Sequence, residues 1–253
     1  MIGNRIIELD TVDSTNNYAN RIFGSGAFED GVVINARQQL AGRGQQDHGW
    51  TGEAGKNLTL TVCLRPRFLA PDRQFQLNKA IALGVLDFIR SYMLPAHLIS
   101  HAGTHIKWPN DIYLGYRKIG GILIENKIMG PILESSIAGI GVNINQTTFP
   151  PDIPNPVSLV QLLGHETDLK DALFCLCRFL DRRYSELRKG EPGKPDPEFD
   201  ENLMGFDQWR NFMIDGFQTE GRIRGVDSFG RLLIEFLTGE IRPFSHREVE
   251  YIL

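Results

Sequence analysis

Apolar residues recur at helical spacing through QFQLNKAIALGVLDFIRSYM (74–93), which predicts the clearest helix of the chain. By contrast, NLTLTVCLR (57–65) alternates polar and apolar positions, the pattern of a half-buried strand. RIIELD (5–10) and VVINARQ (32–38) predict two more strands. Between them STNNYANRIF predicts a helix, capped by Asp13 or Ser14 and ended by Gly24. HIKWPND (105–111) and DIYLGYRKIGGILIEN (111–126) read as strands joined in a hairpin near Gly115–Arg117. PILESSIAGIGVNIN (131–145) predicts a long strand, interrupted by glycines where something approaches the backbone. The proline-rich FPPDIPNP (149–156) leads into a short helix near Val157–Leu163 and a long one from Asp168 to about Leu187. A loop or hinge, GEPGKPDP (190–197), precedes a further helix around Phe199–Phe212.

The tail changes period. Short alternating stretches with turns at Ser228–Gly230 and Thr238–Glu240 predict a small β-barrel of SH3-like size. The expected organisation is therefore an α+β main domain over 1–212 and a small all-β domain over 213–253.

Composition narrows this little. An apolar fraction of 42% supports a real core, and 23% charged residues is ordinary. A net charge of −4 argues against a nucleic-acid binder, since no basic face or arm offsets it. Cys63, Cys175 and Cys177 fit a reducing cytoplasm better than a disulfide framework. No N-terminal run resembles a signal peptide and no stretch is long enough to cross a bilayer, so a soluble cytoplasmic protein is expected.

Two segments could carry chemistry. GRGQQDHGW (42–50) has neither strand nor helix periodicity. Gly42 and Gly44 let the backbone come close to a ligand, Arg43 offers a fixed fork of donors for carboxylate or phosphate, and Trp50 offers a flat face. That set reads as a lid over an anion, or as an exposed glycine loop with a stray arginine. It is neither a phosphate-binding Walker loop nor a dinucleotide fingerprint. In KWPNDIYL (107–114), Asn110 and Asp111 place an amide and a carboxylate at a strand entrance, and Lys118 follows seven residues later. Paired across the hairpin beside Gly120–Gly121, Asp111 and Lys118 make either an anion site or an ordinary surface ion pair. Ser14 and Thr15 are helix caps before they are nucleophiles, and Asn143 either ends a strand in the site or starts a turn. His97, His101 and His105 recur every four residues, but Pro95 and Gly103 break the helix that would align them on a metal.

Taken in order, DSTN (13–16), GRG…W (42–50), KWPND (107–111), KIGGIL (118–123) and GVNIN (141–145) resemble the biotin protein ligases, also called biotin–[acetyl-CoA-carboxylase] ligases. GRIRGVDSFGRLLIE in the tail looks like that family's small C-terminal barrel. The resemblance implies a mixed or antiparallel sheet flanked by helices, of the class II synthetase-like type. It also implies a two-step reaction: biotin and ATP, with Mg²⁺, give biotinyl-5′-AMP and pyrophosphate, and the acyl group passes to a lysine of a biotin carboxyl carrier protein. On this resemblance Ser14, Thr15, Asn16 and Gln39 hold the biotin ring. Arg43 and Gly44 embrace the carboxylate and α-phosphate, with Gln45 and Gly121 completing the biotin set. Lys118 lies between carboxylate and α-phosphate, and Asp111 orients it or serves the incoming amine. Trp50 packs against the adenylate, Asn143 reads the adenine, and Lys107 and Asn110 surround the triphosphate.

The chain departs from the resemblance in one place. Many members have GRGRxGR where this chain has Gly42-Arg43-Gly44-Gln45-Gln46-Asp47-His48, so Gln45 supplies no second cation. The sequence starts almost at DSTN, which fits a monofunctional ligase without an N-terminal DNA-binding domain. A homodimer through an exposed sheet edge is a further expectation of the family. The rival readings are a lipoate or octanoate ligase and a biotin-sensing module without turnover.

Overall fold

The computed structural model describes residues 1–24, 29–44, 49–93, 103–190 and 195–252. Its main sheet is built from β1 (Ile6–Val12), β2 (Val32–Gln39), β3 (Leu58–Leu64), β4 (Thr104–Lys107), β5 (Asp111–Leu114), β6 (Arg117–Met129) and β7 (Ile132–Val142). In space the order is β1-β2-β3-β7-β6-β5-β4. β1 and β2 run parallel, joined through α1 (Thr15–Gly24), and every other pair is antiparallel. The sheet is thus mixed, and helices flank it as expected.

Alternation along β3 explains how the sheet is used. Leu58, Leu60, Val62 and Leu64 enter the large core with α2 (Phe75–Met93) and α4 (Leu169–Arg188). Cys63 points the other way, into a smaller core beneath α1 with Ala19, Val32, Ile34 and Ile137. The sequence pattern suggested a solvent face for the polar positions of this strand. Instead β3 is a central strand, paired on both sides, and Thr61 is fully buried. Its polar face is the floor of a site, which is why those positions are not apolar. Burial pushes the Cys63 thiol up to about 12, so it stays protonated and inert.

Several boundaries differ from the sequence expectation. The strand expected over 105–111 stops at Lys107, and the chain turns through Trp108–Asn110, with a cis Trp108–Pro109 peptide, before β5. β7 ends at Val142 rather than 145, and the short helix α3 (Leu159–Leu163) starts two residues late, where Ser158 N–H donates back to Gln161 Oε1 at 3.1 Å. The helix expected around Phe199–Phe212 is replaced by α5 (Pro195–Glu201) followed by a strand from Trp209. Between them Gly205 and Asp207 take positive φ, which a continuous helix forbids.

The tail forms a second antiparallel sheet of β8 (Trp209–Ile214), β9 (Phe217–Val226), β10 (Leu232–Phe236), β11 (Ile241–Phe244) and β12 (Val249–Tyr251), in the order β11-β10-β9-β8-β12. Among the described residues its two ends, β11 and β12, are not paired to each other, so the expected barrel is open. This sheet is fastened to the free edge of β4. Ile106 N–H donates to Asn202 O and Ile106 O accepts from Met204 N–H, both at 2.9 Å. Trp108 Nε1 donates to Gly230 O at 3.0 Å, in the turn between β9 and β10. Trp108→Phe removes that donor from a nearly buried ring; the expected loss is about 1–3 kcal/mol, read as a lower midpoint in chemical denaturation. An unchanged midpoint would mean that the junction is held by the backbone pairs alone.

Candidate active site

The face of the main sheet beneath α1 carries an unusual run of bare positions. Gly121 pairs with Gly141 and Leu123 with Gly139, which puts three glycines on one face at the centre of the sheet. None of them needs a positive φ; what they supply is space. A Cβ on Gly139 would lie 2.5 Å from Asn16 Oδ1, and one on Gly141 would overlap the Trp50 ring. A Cβ on Gly121 would stand 3.4 Å from Asp111 Oδ1 and 3.6 Å from Lys118 Nζ. Four side chains, Asn16, Trp50, Asp111 and Lys118, therefore lie against these bare positions of the sheet.

At one end, the N-terminus of α1 meets β2 and β3. Gln39 Oε1 accepts from Thr15 N–H at 2.7 Å and from Thr15 Oγ1 at 3.0 Å, so a side chain from β2 satisfies a donor the helix start leaves open. Thr61 Oγ1 lies 2.8 Å from Thr15 Oγ1 and 2.7 Å from Asn16 Oδ1. Asn16 Nδ2 donates to Glu125 Oε2 at 2.8 Å. Ser14, Thr15 and Asn16 are all buried, so this is a pre-set polar corner and not a surface cap. Arg43 joins its rim: its guanidinium is 2.9 Å from Glu125 Oε1 and donates to Asn17 Oδ1 at 3.2 Å. An arginine read from the sequence as open to an anion is thus held by a carboxylate.

At the other end, the neck of the glycine loop is closed by Trp50 N–H donating to Gly42 O at 2.9 Å and by an isolated bridge between Arg43 and Gly49. That neck lays the Trp50 ring over Gly141. Asn143 is buried; its Nδ2 donates to Val157 O at 3.0 Å, and its backbone is tied to Ile119 and Leu159. Gln45, Gln46, Asp47 and His48 lie outside the described residues, as do His97 and His101. His105 stands on β4, half-buried, and burial lowers its pKa.

The ion pair lies beside Gly121, the cross-strand partner of Gly141. Lys118 Nζ is 2.7 Å from Asp111 Oδ1, although the two are not direct cross-strand partners. Asp111 pairs with Gly121 and Tyr113 with Lys118, because a bulge between Ile112 and Tyr113 shifts the register. The bulge re-aims the lysine along the sheet to the carboxylate. Lys118 is also braced from its outer side: its N–H donates to Asn155 O at 2.7 Å and its carbonyl accepts from Val157 N–H at 2.9 Å. Asn110 Nδ2 donates to Ile122 O, fixing the turn that delivers Asp111. Lys107 Nζ stands 5.4 Å from the Tyr113 ring centre and 5.6 Å from that of Tyr251. Burial lowers the Lys107 pKa and pushes the Tyr113 hydroxyl up to about 12.

The Asn16 corner, the Trp50 ring and the Lys118–Asp111 pair line one cavity of about 670 Å³. Of the residues singled out in the sequence, Ser14, Thr15, Asn16, Gln39, Arg43, Gly44, Trp50, Lys107, Asn110, Asp111, Lys118, Gly121 and Asn143 are brought together here. Sequence reasoning missed Thr61 and Glu125, which hold Asn16. It also missed Tyr113, Phe149, Asp152 and His246 among the lining residues. Alternation could have found Thr61, a polar residue within an apolar strand. Nothing local marks His246, which reaches the cavity from the second sheet.

The same residues carry a wider relationship. A model of the biotin/lipoate A/B protein ligase family matches residues 8–143, more than half of the 253. The chain belongs to the biotin/lipoate A/B protein ligase family. Among relatives of that family, it is 33% identical over 183 residues to the biotin–[acetyl-CoA-carboxylase] ligase of Paracoccus denitrificans, an alignment covering 71% of this chain and 72% of that protein. It is 30% identical over 211 residues to the enzyme of the same name from Mycobacterium tuberculosis, covering 83% and 76%. The match to the bifunctional ligase/repressor BirA of Bacillus spizizenii, 29% identical, covers 74% of this chain and 55% of that longer relative. The fold is also that of the biotin protein ligase from Aquifex aeolicus solved with biotin and ATP, with a TM-score of 0.76, 21% identity and 98% of each chain covered.

Proposed function

We propose that the chain is a biotin protein ligase, which joins biotin to ATP as biotinyl-5′-AMP and then transfers biotin to a lysine of a biotin carboxyl carrier protein. One observation supports this reading: a lysine amine paired to a carboxylate at 2.7 Å, in a cavity that is also lined by a buried polar corner and an indole face. The corner of Ser14, Thr15, Asn16 and Gln39 suits a small neutral ring that both donates and accepts hydrogen bonds. The Trp50 face and the Asn143 amide suit a purine. The lysine then stands where the two substrates join.

The reacting groups are both anions, a carboxylate and an α-phosphate, so fixed positive charge is needed where charge builds up in the transition state. Lys118 supplies it, and Asp111 holds the ammonium in place. Arg43 would add a second cation by exchanging Glu125 for the ligand. Among the described residues no group of three or more His, Cys, Asp or Glu is arranged to hold a metal. Magnesium bound to the nucleotide would supply charge neutralisation of the pyrophosphate. In the second step Asp111, at the cavity wall, accepts or guides the proton of the incoming lysine amine.

No helix among the described residues is long and apolar enough to cross a membrane. The three free cysteines favour a reducing cytoplasm as the place of action. The outer side of β1 is a sheet edge where a second copy would pair.

Biotin-dependent exchange of pyrophosphate into ATP tests the reading. Exchange is expected with biotin and absent with lipoate or octanoate. Exchange driven by lipoate would move the chain to the other branch of the family, and tight biotin binding without exchange would make it a sensor.

A further inference from the structure

The second sheet meets the cavity through Lys107. This residue ends β4, at the seam where the C-terminal sheet is fastened, and its ammonium stands between one ring from each body: Tyr113 of β5 and Tyr251 of β12. Tyr251 is itself held. Its strand pairs with β8 opposite Phe212, and its ring meets the fully buried Phe212 edge-on at 5.6 Å. The other two cavity cations are each tied to a carboxylate, Lys118 to Asp111 and Arg43 to Glu125. Lys107 instead has two ring faces, which attract a cation without neutralising it. Asp111 and Glu250 favour its charged form, while burial and Lys118 oppose it.

We infer that Tyr251 is a positioning residue for the nucleotide: with Tyr113 it clamps the Lys107 ammonium at the cavity wall, out of direct contact with a carboxylate and aimed at the polyphosphate. The C-terminal sheet thereby contributes to substrate binding without touching the reacting atoms. This rests on the proposed ligase reading, in which Lys107 meets ATP. Free to swing, the four-carbon side chain of Lys107 would lose its fixed geometry and bind the polyphosphate less well.

The test is a double-mutant cycle in the full chain, with magnesium-ATP titrated in biotin-dependent pyrophosphate exchange. Tyr251→Leu removes a ring face and is expected to raise the KM for ATP about 5–10-fold, leaving the KM for biotin unchanged. Tyr251→Phe keeps the ring and restores near-normal KM. In a Lys107→Met background Tyr251→Leu adds nothing, since the group it acts through is gone. Should Tyr251→Leu fail to fold, Tyr251→Met fills the same space without a ring and carries the same comparison. Equal effects of the tyrosine change in both backgrounds, or a phenylalanine variant as impaired as leucine, overturn the inference. If Lys107→Met alone leaves the KM for ATP unaltered, the placement of Lys107 at the nucleotide falls and takes the inference with it. If Lys107→Met raises the KM while Tyr251→Leu does not, only the inference falls.

Discussion

Replacing Lys118 by alanine is expected to cut biotin-dependent pyrophosphate exchange by about 10²-fold or more while biotin binding survives. The size follows from what the amine does. It is already positioned, 2.7 Å from Asp111 and braced by main-chain bonds to Asn155 and Val157, so nothing needs to reorganise when charge develops between the substrates. A preorganised donor of this kind acts on the transition state more than on the bound ground state. The loss should therefore appear in kcat, with a modest change in the KM for biotin, whose ring is proposed to sit at Thr15, Asn16 and Gln39. Calorimetry with biotin alone separates the two terms. Exchange at the wild-type rate in Lys118→Ala would remove the lysine from the chemistry, and abolished biotin binding would make it a substrate-binding residue first.

The second large effect is expected from a single methyl group. Gly141→Ala places a Cβ inside the volume of the Trp50 ring, on a strand hydrogen-bonded along both edges and unable to recede. The ring must move. Trp50 is joined through its own N–H to Gly42, so the neck of the glycine loop, and Arg43 with it, moves too. A displacement of about 1 Å in groups that position a substrate costs on the order of 10²-fold in turnover. The expected result is a fall of that order in exchange, a raised KM for ATP, and altered indole fluorescence with an unchanged denaturation midpoint. Near-normal exchange would show that Trp50 lies on Gly141 without serving the nucleotide.

Much of this site is legible in the amino-acid sequence, because its parts sit where the chain changes period. The helix start at Thr15, the glycine loop and the Asp111–Lys118 hairpin each break a regular pattern with polar residues. Register is not legible in that way. Counting seven residues from Asp111 to Lys118 suggests a facing pair, but the bulge at Ile112–Tyr113 makes the contact diagonal. Nor does local pattern reveal that Arg43 spends its charge on Glu125, a residue 82 positions away in the chain. The polar alternation of β3 is plain in the sequence, yet its meaning is reversed: a polar face inside a sheet has the same pattern as one open to water. The misplaced helix near 199–212 has a similar origin. Gly205 and Asp207 are turn-formers whose backbone conformations decide the matter, and apolar spacing across them mimics a helical face.

The proline-rich connection over 149–156 has the look of a spacer free to lengthen or shorten among relatives. Its end nonetheless bridges to the main chain of Lys118, whose N–H donates to Asn155 O and whose carbonyl accepts from Val157 N–H. An inserted residue before Ile153 would only enlarge a rim. One placed between Asn155 and Val157 would slide the brace by a whole peptide and drag the amine out of line with Asp111. The tolerance of this segment to length changes should therefore switch off abruptly within a few residues, far from anything that looks catalytic.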